Sequence, residues 1–281
     1  MILHIWSSIV SQLPFGWAQF GFMHNALIAI LLISPLLAFL GCLVINKQMA
    51  FFSDAIGHAG LTGIAIGALL GIAQPLWAML FFSFVLALGI TWLRKHSRSS
   101  NDSIIGIIMS FAVALGIVIL SRGGGFNKYS RFLIGDILSI SPQDITILII
   151  VGFIFLILWA FYFNKFLLVS INTSLARSRG IRIWFIESLF ASVTALVITV
   201  SIQWIGILVI NALLILPATT SRNIAGSMRS YMWLSLLFCW LSGIIGLIAS
   251  FYWSTASGAT IVLFAMLFYI LSVLISGMKR R

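Results

Sequence analysis

FMHNALIAILLISPLLAFLGCLVI, residues 22–45, contains no aspartate, glutamate, lysine or arginine. A helix rises about 1.5 Å per residue, so this run is long enough to cross a hydrocarbon core of roughly 30 Å. Runs of the same kind recur near 51–72, 75–93, 103–121, 145–163, 183–201, 203–219, 231–250 and 258–277. Lipid offers no partner to backbone polar groups, which favours helices for apolar runs of this length. The chain therefore reads as an all-α, polytopic transmembrane helical bundle of about eight or nine spans. The two short runs between 183 and 219 admit a second reading, one span followed by a re-entrant piece. With no soluble insert or repeat in view, residues 1–281 are expected to form a single transmembrane domain. Residues 1–19, with Trp6, Pro14 and Trp17, read as an interfacial segment, and no removable signal peptide is expected.

Composition agrees with the runs. Hydrophobic residues make up 62% and charged residues 7%, far below the roughly 25% of a soluble domain, so most of the surface must face lipid. A net charge of +11 would bring nucleic acid to mind in a soluble protein. Here the basic residues occupy short loops, and no nucleic-acid partner is expected. If the C-terminus is cytoplasmic, the inner side carries Lys47, Arg94, Lys95, Arg98, Lys165, Arg177, Arg179, Arg182, Arg222, Arg229, Lys279, Arg280 and Arg281. The outer side then carries only Arg122, Lys128 and Arg131, a strong positive-inside bias with the N-terminus external. Cys42 and Cys239 lie inside apolar runs and offer neither a disulfide framework nor a thiolate site.

Few residues are equipped for chemistry. Asp102, Asp136 and Asp144 fall in loops or at span edges, whereas Asp54 and Glu187 fall within spans, where an ionisable side chain is costly. Asp54 and His58 are four residues apart, hence on one helical face. A carboxylate with an imidazole suits Zn, Mn or Fe(II). Gly63, Gly67 and Gly71 form a small-residue ridge on roughly the opposite face, where another helix can pack closely. A purely structural reading is also open: Ser53 or Asp54 caps the helix, and His58 is a core histidine bonded to Asp54. Glu187 reads as a structural charge near an inner end, and Asn211 as an interhelical hydrogen-bonding residue. None of the five lysines follows a glycine, so the chain has no P-loop, and no nucleophile elbow or Cys/His zinc cluster supports enzyme chemistry.

Residues 164–182, NKFLLVSINTSLARSRGIR, form a cytoplasmic segment in this frame. Within it Asn172-Thr173-Ser174 can cap a short helix that Gly180 ends. It is either a solvated basic connector or a surface helix that docks a soluble partner.

Read together and in order, several stretches resemble the permease family of ABC importers for zinc, manganese or iron(II), from about Phe22 to Ile275. MAFFSDAIGHAGLTGIAIG resembles that family's G/S-D-A-x-S-H-A-x-x-P-G stretch. DSIIGIIMSFAVALG, FLIGDILSIS, LARSRGI, GILVINALLILPATTSR and SGATIVL resemble later signatures. Gly57 stands where serine is usual, Thr62 where proline is usual and Asn172 where aspartate is frequent; Ala256 stands where proline is common. The resemblance implies a type II ABC importer-like permease in a bacterial cytoplasmic membrane, surrounded by membrane lipids. It implies a second permease copy as a homodimer partner, cytoplasmic ABC ATPase subunits, and an external or periplasmic metal-binding protein. Asp54 and His58 would be metal ligands, and Leu175, Ala176, Arg177, Arg179 and Gly180 would couple to the ATPase. No cofactor is expected to be bound permanently; the divalent metal is the substrate. Two other readings compete. One is a secondary transporter or channel, which would spread intramembrane charges over several spans. The other is a permease for chelated iron or cobalamin.

Overall fold

The computed structural model describes residues 16–72, 74–123 and 135–279. The helices are α1 (Gly21–Asn46), α2 (Phe52–Leu69), α3 (Pro75–His96), α4 (Asn101–Gly123), α5 (Pro142–Ile171), α6 (Thr173–Ser178), α7 (Ile183–Ile205), α8 (Ile207–Ile224), α9 (Met228–Trp253) and α10 (Ser257–Lys279). Short 3-10 turns occupy Gly16–Gln19 and Ile137–Ser139. Eight of the helices are long and apolar enough to cross a membrane. The exception among the long ones is α2, which holds Asp54, His58 and four glycines in 18 residues. Of the expected segments, residues 1–15 with Trp6, and Lys128, Arg131, Arg280 and Arg281, lie outside the described residues, as does the side chain of Arg122.

Helix boundaries fall within a few residues of the hydropathy runs, with one larger difference. α5 continues to Ile171, eight residues past the expected end at 163. Nothing in NKFLLVSI breaks a helix, and its Phe166 and Val169 are buried in the bundle. Lys165 consequently lies on a helix, its ammonium 5.1 Å from the Tyr162 ring, and the exposed connector shortens to about 172–182. The two runs between 183 and 219 are two helices, α7 and α8, broken at Gly206 with φ 82°.

The core is built by close helix approach rather than by large side chains alone. α1 runs through the middle of the bundle, and its Leu37, Ala38, Leu40 and Leu43 are almost fully buried. α2 packs against α3 and α4. A Cβ at Gly63 would come within 2.7 Å of the Ala78 carbonyl oxygen, and one at Gly67 within 2.5 Å of the Ala78 methyl, so α3 lies directly against this ridge. The expected third member of the ridge, Gly71, does not belong to it. It lies past the helix end at φ +69°, and a Cβ there would meet nothing within 4 Å. Gly71 is a left-handed turn residue rather than a packing residue.

The ends of α1, α3 and α7 meet in a small ionic cluster. The Glu187 carboxylate lies 3.9 Å from the Lys47 ammonium and 4.0 Å from the Arg94 guanidinium. Arg94 donates to Asn101 at 2.9 Å, and Asn101 donates to the Lys47 carbonyl at 3.0 Å, which brings in α4. Glu187 thus sits where the structural reading of the sequence placed it, beside basic partners at a helix end.

Candidate metal-binding cavity

α2 starts after a tight turn at Met49–Phe51, which sets Asp54 in its first turn. The helix has no side-chain cap: its N-cap is Phe51, and the Ser53 hydroxyl is buried without a hydrogen-bond partner. Asp54 instead turns toward α8, where its Oδ1 accepts a hydrogen bond of 2.7 Å from Asn211 Nδ2. His58 Nε2 lies 3.6 Å from the same oxygen. That is an electrostatic contact and too long for a hydrogen bond. The imidazole and the carboxylate are 28% and 30% exposed, so both remain open to a ligand.

They line a cavity of about 730 Å³. Its other walls are Ile207, Leu208 and Asn211 of α8, Gly135–Asp136 and Leu138 beside the 3-10 turn, and Thr255–Ala259 at the junction of α9 and α10. The Asp136 amide donates to the Trp204 carbonyl at 3.0 Å, and one of its carboxylate oxygens accepts from the Leu138 amide at 3.1 Å. Gly135, at φ +70°, lies against the Ile205 carbonyl so closely that a Cβ there would overlap it. The turn is therefore fastened to the break between α7 and α8. Among the described residues no group of three or more His, Cys, Asp or Glu side chains converges well enough to hold a metal. The cavity thus offers one carboxylate and one imidazole in contact, with Asn211 bonded to the carboxylate and Asp136 on the same wall.

Sequence reading singles out Asp54, His58 and Asn211 but not their convergence. Asn211 does make an interhelical hydrogen bond, and its partner is the carboxylate of the candidate site. Sequence reading misses Asp136 and Thr255–Ala259 as cavity walls, because nothing local ties a loop near 136 or 255 to residue 54. The one local signal is a polar asparagine inside the apolar run GILVINALLILP.

At the other end of the bundle lies α6. Asn172 caps it, its side chain accepting from the Leu175 amide at 2.9 Å. Ala176 is buried, whereas Leu175 is 44% exposed and Arg177 and Arg179 face outward. Gly180, at φ +73°, closes it: its amide donates to the Arg177 carbonyl at 3.0 Å and the Ile181 amide to the Ala176 carbonyl at 3.1 Å. The short helix thus has one anchored face and one exposed apolar and basic face.

Comparison with known proteins gives a consistent result. The model of the ABC 3 transport family matches residues 19–276. The manganese import system permease protein ScaB of Streptococcus parasanguinis is 32% identical over 97% of each chain. The high-affinity zinc uptake system membrane protein ZnuB of Haemophilus influenzae is 32% identical over 91% of this chain and 98% of its own. Among solved structures, PsaBC from Streptococcus pneumoniae in complex with Fab superposes with a TM-score of 0.77 at 30% identity, covering 97% of this chain and 95% of that one.

Proposed function

We infer the function from one premise: the chain belongs to the ABC 3 transport family. It is the membrane-spanning permease subunit of an ATP-driven importer that moves divalent metal ions, Zn, Mn or Fe(II), into the cell. The observation that carries the reading to particular residues is the cavity in which Asp54 and His58 share a face and remain accessible. Loss of the gene should lower intracellular manganese, zinc or iron and make growth dependent on added metal. Unchanged cellular content of all three metals would refute the reading.

In this proposal Asp54 and His58 bind the ion in transit, and a second copy of the permease across a two-fold axis supplies a matching pair. ATP is hydrolysed on separate cytoplasmic ABC subunits. An external metal-binding protein delivers the ion to the wall formed by Gly135–Asp136 and Thr255–Ala259. The basic end of the bundle, with Lys47, Arg94 and Arg177, faces the cytoplasm. A cysteine introduced at Ser99 or Ser178, both exposed, should react only with reagents applied from inside, and one at Ala256 only with reagents applied from outside. Both native cysteines are buried and should contribute little background. Labelling of Ser178→Cys from outside would overturn the orientation.

The exposed face of α6 supports a docking role toward the ATPase subunits. Leu175, Arg177 and Arg179 present an apolar side chain flanked by positive charge, Ala176 anchors the helix, and Gly180 fixes its end. Valine cannot hold φ +73° without strain, so Gly180→Val should unravel the α6 terminus. ATPase co-purification and metal uptake should then fall together. Retention of both in a normally inserted Gly180→Val protein would remove α6 from the coupling role.

A further inference from the structure

Asn211 is half satisfied. Its Nδ2 donates to Asp54 at 2.7 Å, while its Oδ1 is buried and has no hydrogen-bond partner. Buried carbonyl oxygens are rarely left without a donor, and one in a native protein calls for a specific explanation. Asn211 also lines the cavity that holds Asp54 and His58. A half-turn about its terminal torsion exchanges the two ends of the amide, and that torsion is broad and nearly two-fold in energy. One end is a donor suited to a bare carboxylate; the other is a neutral oxygen suited to a cation.

We propose that Asn211 is the third ligand that each permease copy offers the transported ion, beside its own Asp54 and His58, through its amide oxygen, and that this oxygen favours Mn(II) relative to Zn(II). The inference rests on the assignment of Asp54 and His58 as the transit site. The amide N–H donates to the Asp54 carboxylate, a bond that offsets part of the cost of a charge placed among apolar helices. When a divalent cation arrives, the carboxylate binds the metal and no longer needs that donor. The amide turns, and Oδ1 joins the Asp54 oxygen and the His58 imidazole on one ion. The set offered by each copy is then two oxygens and one nitrogen. Carboxylate and carbonyl oxygens suit Mn(II), whereas removing an oxygen leaves a site in which imidazole, a ligand well suited to Zn(II), has the larger share. ScaB, named for manganese, and ZnuB, named for zinc, are each 32% identical to this chain.

The test uses the full-length chain in lipid nanodiscs, dialysed to equilibrium against manganese chloride and, separately, zinc chloride. Asn211→Ala should weaken Mn(II) binding by about tenfold or more, the scale on which ligand-shell changes act, and Zn(II) binding by clearly less. Asn211→Asp removes the N–H donor and keeps an oxygen, so it should retain Mn(II). Equal weakening of both metals by Asn211→Ala, or no weakening of Mn(II), overturns the proposal. So does loss of Mn(II) by Asn211→Asp, which would reduce Asn211 to a hydrogen-bond donor for Asp54. Asp54→Asn in the same assay separates this inference from its premise. If Asp54→Asn binds both metals as the parent does, the transit site is not there at all. If it loses both while Asn211→Ala loses neither, the site stands and Asn211 is not its ligand.

Discussion

Asp54→Asn is expected to lower cellular uptake of manganese and zinc by a factor on the order of 100 while the protein still inserts and assembles. A carboxylate only 30% exposed among apolar helices is costly. That cost is offset in part by the hydrogen bond from Asn211, and bonds to charged groups contribute about 1.5–3 kcal/mol. Asparagine keeps the size of the side chain and can still accept from Asn211, so the bundle has no reason to come apart. What it loses is the negative charge that compensates a divalent cation stripped of part of its water. His58→Ala removes the nitrogen donor on the same face and should have a similar effect, since the two side chains address one ion. Uptake is measured with radioactive metal in cells expressing equal amounts of each protein, and assembly by co-purification of the ATPase partner. If both variants assemble and carry metal at the parental rate, Asp54 and His58 are structural.

The all-α, multi-span character is legible in the sequence because it rests on local quantities: runs of about 20 apolar residues and loops with charge. Each span is decided by its own composition. The end of α5 is not legible in this way. Asn164 and Lys165 read as a loop, whereas in the bundle the burial of Phe166 and Val169 carries the helix on to Ile171. Four-residue spacing alone groups Gly71 with Gly63 and Gly67. Spacing does not reveal that the helix stops at Leu69 and that Gly71 belongs to the turn.

Half of the cavity is legible for a related reason. Asp54 and His58 are neighbours on one helix, so their proximity follows from helical geometry. Asn211, Asp136 and Thr255–Ala259 come from helices and turns distant in sequence, and only packing brings them to the same wall. Packing at this place depends on small contacts such as Gly57 against Ile207. A Cβ at Gly57 would come within 2.9 Å of the Ile207 side chain. The glycine therefore lets α2 approach α8 closely, which is the approach that allows Asp54 to reach Asn211.

Glu187→Gln should destabilise the protein by about 3 kcal/mol, the low end for breaking a buried ion pair by removing one partner. Glu187 is shared between Lys47 and Arg94, and the Lys47 ammonium, with a side chain only 4% exposed, meets it as an ion-pair contact and has no hydrogen-bond acceptor. The face of Phe190, 4.8 Å away, is its other source of negative potential. Burial pushes the Lys47 ammonium down from 10.5 to about 8; Glu187 opposes that shift and Arg94 adds to it. The sign for stability follows directly. Between about pH 8 and 10.5 the unfolded chain holds a proton on Lys47 that the folded chain has released. Folding is therefore favoured more strongly as pH rises through that window, by at most about 3 kcal/mol. Melting in detergent at pH 7 and above pH 9 should show this rise for the parent. Lys47→Met should abolish it, because the group that releases the proton is gone. In Glu187→Gln the carboxylate no longer holds the proton on Lys47, so the rise should begin below pH 8. A parent whose stability stays flat, or an unaltered profile in Lys47→Met, would show that Lys47 is not the buried charge it is taken to be. The cluster lies one turn from the start of α7, the helix that follows α6 directly in the chain.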